Sequence, residues 1–279
     1  PITLVFDDQL SGNYLNQVIL FSLPLLWPGL AHGSLDLLMA KKKKIIKNNH
    51  HTILFITIYT LIPFVFFILW IFFPNVMFII FLLLSALHFG ISDCVTNDAR
   101  SKIIEILIRG IIVISLPFIF HLKPTLEIFE YFLIDEHFLL QIFIYFNFLF
   151  LLLFFLISSW LIINYNLIIK DKNSFVFLVE LFGLLFCFSF FEPLISFFLY
   201  FCFLHSTRHL LEEKENLELK NLQLIKKSIP MTVLTFIFFV ILFLFYKNSP
   251  NNLNISYVII GLSSLTISHV FLVNFIKTN

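Results

Sequence analysis

Long apolar runs alternate with short polar breaks along this chain, and the alternation repeats nine times. The runs fall at about 14–40, 52–73, 76–94, 103–120, 138–167, 174–191, 194–210, 229–246 and 255–276. Each holds about 18 residues or more, enough for a helix to cross a hydrocarbon layer of roughly 30 Å at about 1.5 Å per residue. The fifth run exceeds what one crossing needs, so it tilts or emerges from the layer. Only Glu192-Pro193 separates the sixth from the seventh, and a Pro there marks a turn. The charged, leucine-spaced segment 211–228 is expected to lie on the membrane surface as a helix. The first run is too long for a signal peptide and leads into lysines rather than a small-residue cleavage site, so it reads as a retained helix. The chain opens on Pro rather than Met, as it would if its true start had been removed. The expected architecture is an all-α polytopic membrane protein of about nine transmembrane helices, with residues 1–279 forming a single integral membrane domain.

Composition agrees with this pattern. The chain is 59% hydrophobic and 13% charged, where a soluble domain carries about 25% charged residues. Its 40 phenylalanines accompany an excess of Ile, Lys and Asn, as AT-rich codons alone would produce, so they carry no collective role. A net charge of +1 implies no nucleic-acid partner. Cys94, Cys187 and Cys202 form no CxxC and suggest no disulfide framework, only small core residues.

The placement of charge orients the helices. With the N-terminus outside, 14 of the 18 Lys and Arg residues fall in or beside alternate, cytoplasmic loops. Only Lys123 and Lys247 fall on the other side, while Arg109 and Arg208 lie within helices. That is a strong positive-inside bias, and an error of one helix would scramble it. The C-terminus is then cytoplasmic, and the acidic outer loop 121–137 fits the same orientation.

Against this frame the histidines stand out. An ionisable side chain in lipid is costly unless it meets a partner, a metal or water. His32, His88, His205, His209 and His269 nevertheless lie inside apolar runs. His32 precedes Lys41 by nine residues, and His269 precedes Lys277 by eight. All five therefore fall in the cytoplasmic half of the layer, within one or two helical turns of a common depth. The remaining four, His50, His51, His121 and His137, fall at helix ends or loops and are expected to be solvated.

His205 and His209, four apart, share a helix face and could chelate one ion. Asp36, four residues after His32, is placed to accept the second ring N–H of a ligating histidine and fix its tautomer. Asp93 follows His88 by five, so it either bonds back at a helix end or reaches another helix. Arg208 either snorkels to headgroups or pairs with Asp36 or Asp93. Glu105 and Arg109 are expected to neutralise each other, and Glu180, with no local partner, is a candidate acid behind the metal site. The small pairs Gly29/Gly33 and Ala86/Gly90 allow close helix approach. Four neutral imidazoles without thiolate suit iron, copper, nickel or zinc. The set has no ligating carboxylate and no HxxHH cluster. Trp27, Phe89, Phe201 and Phe203 are candidate tunnel-lining aromatics near the histidines.

The phrases His32-Gly33-x-x-Asp36, Ser85-x-x-His88-Phe89-Gly90-x-x-Asp93, His205-Ser206-x-Arg208-His209-Leu210 and Ser268-His269 occur in one order across nearly the whole chain. In these the chain resembles the Brp/Blh family of membrane β-carotene 15,15′-dioxygenases, which supply retinal to microbial rhodopsins. The family has Pro before its last histidine, where this chain has Ser268. The resemblance implies ferrous iron, Fe(2+), held by His32, His88, His205 and His209 in the helix bundle near the cytoplasmic leaflet. Asp36, Asp93, Arg208, His269 and Glu180 would stand behind those ligands. It further implies O2-dependent cleavage of β-carotene at its central bond, two molecules of retinal as product, and a multi-pass protein of the cell (inner) membrane. Two other classes compete on residues alone. A haem or electron-transfer protein would use facing histidines as axial ligands, and a metal or proton transporter would carry midplane carboxylates and broken helices in repeated halves. Ligands crowded toward one leaflet argue against alternating access.

Overall fold

The computed structural model describes residues 10, 12–166, 168, 170–245 and 253–278, and among them there is no β-strand. The helices are α1 (Tyr14–Leu20), α2 (Asp36–Lys42), α3 (Asn49–Phe72), α4 (Pro74–Asp93), α5 (Ala99–Phe120), α6 (Leu122–Glu130) and α7 (Glu136–Asn164). They continue with α8 (Lys172–Phe190), α9 (Pro193–Asn216), α10 (Asn221–Phe245) and α11 (Leu253–Thr278). Eight of these helices are long and apolar enough to cross a membrane, and the broken stretch running from α1 to α2 would make a ninth. The protein is a multi-pass membrane protein. Its outward faces are apolar, as lipid requires: Ile144, Phe148, Leu151, Phe154 and Phe155 of α7 are all exposed.

Helix starts follow local chemistry. Asn48, Asp98 and Asp171 cap α3, α5 and α8 by accepting the backbone N–H of His51, Ser101 and Ser174 at 2.9, 3.1 and 2.8 Å. Those bonds hold the Asp98 and Asp171 carboxyls below the ordinary carboxylate range, through the Ser101 N–H and the Ser174 hydroxyl first.

Two expectations change. The first run is not one helix. Between α1 and α2 the backbone passes through short pieces at Ser22–Pro24, Leu25–Gly29 and Leu30–Gly33, with extended torsions at Trp27 and a cis Trp27–Pro28 bond. The segment 211–228 is not a separate surface helix either. α9 runs on through Asn216, a turn follows, and α10 begins at Asn221, with Leu224 and Ser228 buried. Leucine spacing there reflects two helix ends packing inward.

The chain falls into two compact units. The first takes in the chain up to Leu25, Ser85–Ile128 and Glu136–His205. Its core is α5, which packs against α7 and α8 through Ile108, Ile112, Leu116, Trp160, Phe177 and Phe188. The α4–α5 crossing is close. A Cβ on Gly90 would lie 2.3 Å from the Ile106 carbonyl oxygen, and one on Gly110 would lie 2.5 Å from that of Ala86. The expected small pair Ala86/Gly90 does what its spacing predicts. The second unit takes in Leu26–Leu84, Phe129–Asp135 and Ser206 onward. Here α11 packs against α2, α3 and α10, while Leu30–Gly33 packs against α10 and the Thr207–Asn216 end of α9. Ala31, Leu35, Leu210 and Leu224 form the apolar contact at that junction.

Candidate metal centre

In the second unit, three histidines converge. The His269 ring lies 4.7 Å from that of His32 and 5.0 Å from that of His209, and the His32 and His209 rings are 6.0 Å apart. Asp36 is 4% exposed, so its charge must be compensated. Its carboxylate receives the Nδ1–H of His269, at 2.9 Å to one oxygen and 3.1 Å to the other, and the hydroxyl of Tyr59. Ser268, standing where the resemblance expects Pro, donates to the Tyr59 carbonyl at 2.7 Å and so ties α11 to α3 beside this carboxylate. The Nδ1–H of His32 is donated to the Gly29 carbonyl, which the non-helical stretch turns toward it. Gly33 lies directly against the cluster, a Cβ there standing 3.4 Å from His269 Nδ1, about van der Waals contact.

His88 and His205 meet in the first unit, with ring centroids 5.1 Å apart and both rings buried. Asp93, the last residue of α4, reaches α9. Its carboxylate takes the Tyr200 hydroxyl at 2.7 Å and the Nδ1–H of His205 at 3.1 Å. Phe89 and Phe201 pack on the His205 ring at 4.8 and 5.9 Å. The backbone from Leu199 to Ser206 is wound as a π-helix, a winding that recurs where helices carry functional side chains.

Three of these imidazoles thus donate Nδ1–H to a fixed acceptor, which leaves the neutral tautomer with its lone pair on Nε2. Donor atoms of Asp36, His209 and His269 lie within 4.8 Å of one another. Two ligands on opposite sides of one first-row metal, with bonds of about 2.0–2.2 Å, stand nearly that far apart. Buried imidazoles with their tautomers fixed are the donor set such a metal takes, so the residues fit the group that the motifs imply.

The structure redistributes several expected roles. His269 stands as close to His32 and His209 as they do to each other, where it was placed behind the ligands. Asp36 serves His269 rather than its own helical neighbour His32. Asp36, expected only behind the ligands, also offers an oxygen within reach of a metal beside His209 and His269. Glu180 is not an acid beside histidines. It takes Arg109 Nη2 at 2.7 Å, while Arg109 Nε bonds Glu105 at 2.7 Å. Glu105 in turn receives the backbone N–H of Val95 and Thr96 at 3.0 and 2.9 Å. Phe89 and Phe201 flank His205 as packing, whereas Trp27 and Phe203 are 42% and 56% exposed, and Trp27 donates to the Ser228 hydroxyl at 3.3 Å. Arg208 is half-buried. Tyr59, Tyr200 and Glu213 went unnoticed in the sequence: each is a polar residue turned inward on its helix, and no spacing in its local stretch marks it.

No solved structure matches this chain. A protein named beta-carotene 15,15'-dioxygenase from uncultured marine bacterium 66A03 is similar to it, with 28% identity over 259 residues that cover 89% of this chain and 90% of the other. The family model described as beta-carotene 15,15'-dioxygenase matches residues 23–277, which include all five intramembrane histidines, and the chain belongs to that family.

Proposed function

We propose that this protein cleaves β-carotene at its central 15,15′ double bond with O2, giving two molecules of retinal, and that it depends on ferrous iron. The observation that carries this reading is the family match across residues 23–277, supported by ring protons of His32, His205 and His269 that are already held by fixed acceptors. The motifs assign His32, His88, His205 and His209 to the iron, and the position of His269 against His32 and His209 adds it as a further donor. Iron, when bound, supplies the activation of O2 that a singlet hydrocarbon substrate cannot undergo alone.

The residues of the chain do the rest. Gly29, Asp36 and Asp93 accept ring protons and hold the imidazoles in one orientation, so little reorganisation is needed when the metal enters. Tyr59 and Tyr200 each donate a hydroxyl to those carboxylates and fix them in turn. Phe89 and Phe201 exclude water from His205. The reaction adds both oxygen atoms of O2 and breaks one carbon–carbon double bond, so neither reductant nor proton donor is consumed. That balance fits a set of histidines without a nucleophile. A polyene hydrocarbon dissolves in the bilayer and reaches a membrane enzyme laterally. The charge pattern supports a site toward the cytoplasmic leaflet, the inner membrane is the one the reading implies, and retinal is the product that a microbial rhodopsin would take up.

Expression in a bacterium that accumulates β-carotene tests this reading. The cells should bleach, and retinal should accumulate only when O2 is supplied. Cells that stay orange, with the protein in their membranes and iron in the medium, would refute it.

A further inference from the structure

Glu213 is the one buried acid in the charged stretch Leu211–Asn216. Glu215 is exposed and Glu212 is half-buried, yet Glu213 is 3% exposed. Burying a carboxyl group costs several kcal/mol unless something compensates. Its Oε1 lies 3.6 Å from Nε2 of His209, one turn earlier on α9. Its Oε2 accepts no hydrogen bond among the described residues. Nothing in the motifs mentions this residue, and a charged LEEKEN segment gives no hint that its third position points inward.

The other anchored rings suggest what Glu213 is for. His32 is held by Gly29, His205 by Asp93 and His269 by Asp36, each through an oxygen that takes a ring proton. We propose that Glu213 is the positioning residue of His209: its carboxyl oxygen receives the Nε2–H and leaves the Nδ1 lone pair for the metal. This inference rests on the metal-dependent reading above. The 3.6 Å separation exceeds a hydrogen bond by roughly 0.7 Å, so the two side chains must draw together by that much for the bond to form. His209 would then differ from the three anchored rings in offering Nδ1 to a metal, because its acceptor lies one turn ahead on its own helix.

The test uses the full chain purified in detergent and Co(II) as the probe. Affinity is read by chelator competition, ligand field by the visible d–d bands, and folding by thermal denaturation. Glu213→Leu keeps the volume, removes the acceptor and suits an apolar helix. It should lower Co(II) affinity roughly 10–100-fold, the range for carboxylates that orient metal-bound histidines, and shift the bands. Glu213→Gln, which restores an acceptor oxygen, should recover most of the affinity. If Glu213→Leu binds Co(II) within twofold of the parent while His209→Ala does not bind, the positioning role is wrong and the metal reading stands. Equal loss in the Leu and Gln variants likewise overturns the hydrogen-bonding role. A parent protein that binds no Co(II) removes the metal reading and this proposal with it.

Discussion

At the scale of single residues, three of the rings in the two histidine clusters have a proton that is already spoken for. Asp36 shows the consequence, since it serves both Tyr59 and His269. Asp36→Asn retains an acceptor but loses the negative charge that raises imidazole basicity. Metal affinity, measured by chelator competition, should fall roughly 10–100-fold while the protein still inserts. His269→Ala should lose metal as fully as His32→Ala does, because the His269 ring stands within 5.0 Å of both His32 and His209. Near-normal metal content in His269→Ala would return this residue to a supporting role. Histidine identity was legible in the sequence, since burial of an ionisable group in an apolar run is conspicuous. Pairing was not. Asp36 looked like the partner of His32 because spacing along one helix is all that a sequence displays, whereas its actual partners come from α11 and α3, distant in the chain. Glu180 misled for the same reason: its cation, Arg109, lies on another helix.

At the scale of elements, hydropathy located the apolar helices to within a few residues at most ends. It missed what a window average cannot register, namely where backbone hydrogen bonding changes. The break at Leu25–Gly33 and the π-wound Leu199–Ser206 are as apolar as the helices around them. Both carry a motif histidine, so local departures from α-geometry coincide with the chemistry. Close crossings, by contrast, were readable from small residues four apart. The α4–α5 contact gives a sharp test. In Gly90→Ala the new methyl would meet the Ile106 carbonyl at 2.3 Å, and backbone cannot yield as a side-chain tip can. Overpacking of this kind costs about 1–3 kcal/mol or more, so the denaturation midpoint in detergent should drop. Gly183→Ala on α8 adds its methyl where no atom lies within 4 Å, and glycine is the poorer helix former by roughly 1 kcal/mol. That variant should be as stable as the parent or slightly more so. Equal behaviour of the two would mean that the crossing is looser than described.

For the whole molecule, the open issue is topology, and charge and backbone speak to it together. The helix ends keep the alternation that the sequence showed. Lys41 to Lys44 and Lys47 precede α3, Arg100 and Lys102 open α5, Lys170 and Lys172 flank the start of α8, Lys220 precedes α10, and Lys226 and Lys227 lie in its first two turns. The intervening connections carry Glu127, Glu130, Asp135, Glu136 and Glu192. Eight unbroken helices return the chain to the side on which α3 began, so the two termini share a side unless the stretch from α1 to α2 also crosses. Non-helical backbone is tolerated at membrane depth only where protein surrounds it. Pro28, Gly29, Ala31 and Leu35 just after Trp27 are buried, which favours a crossing with that part of the break shielded by neighbouring chain. Reporter fusions decide between the two. Sites at the α2–α3, α4–α5, α7–α8 and α9–α10 connections should report the cytoplasm, and the α5–α7 connection the opposite side. An N-terminal tag should be outside and a C-terminal tag inside. Both tags on the cytoplasmic side would mean that the broken stretch enters the membrane and returns, carrying His32 in from the same face as the lysines.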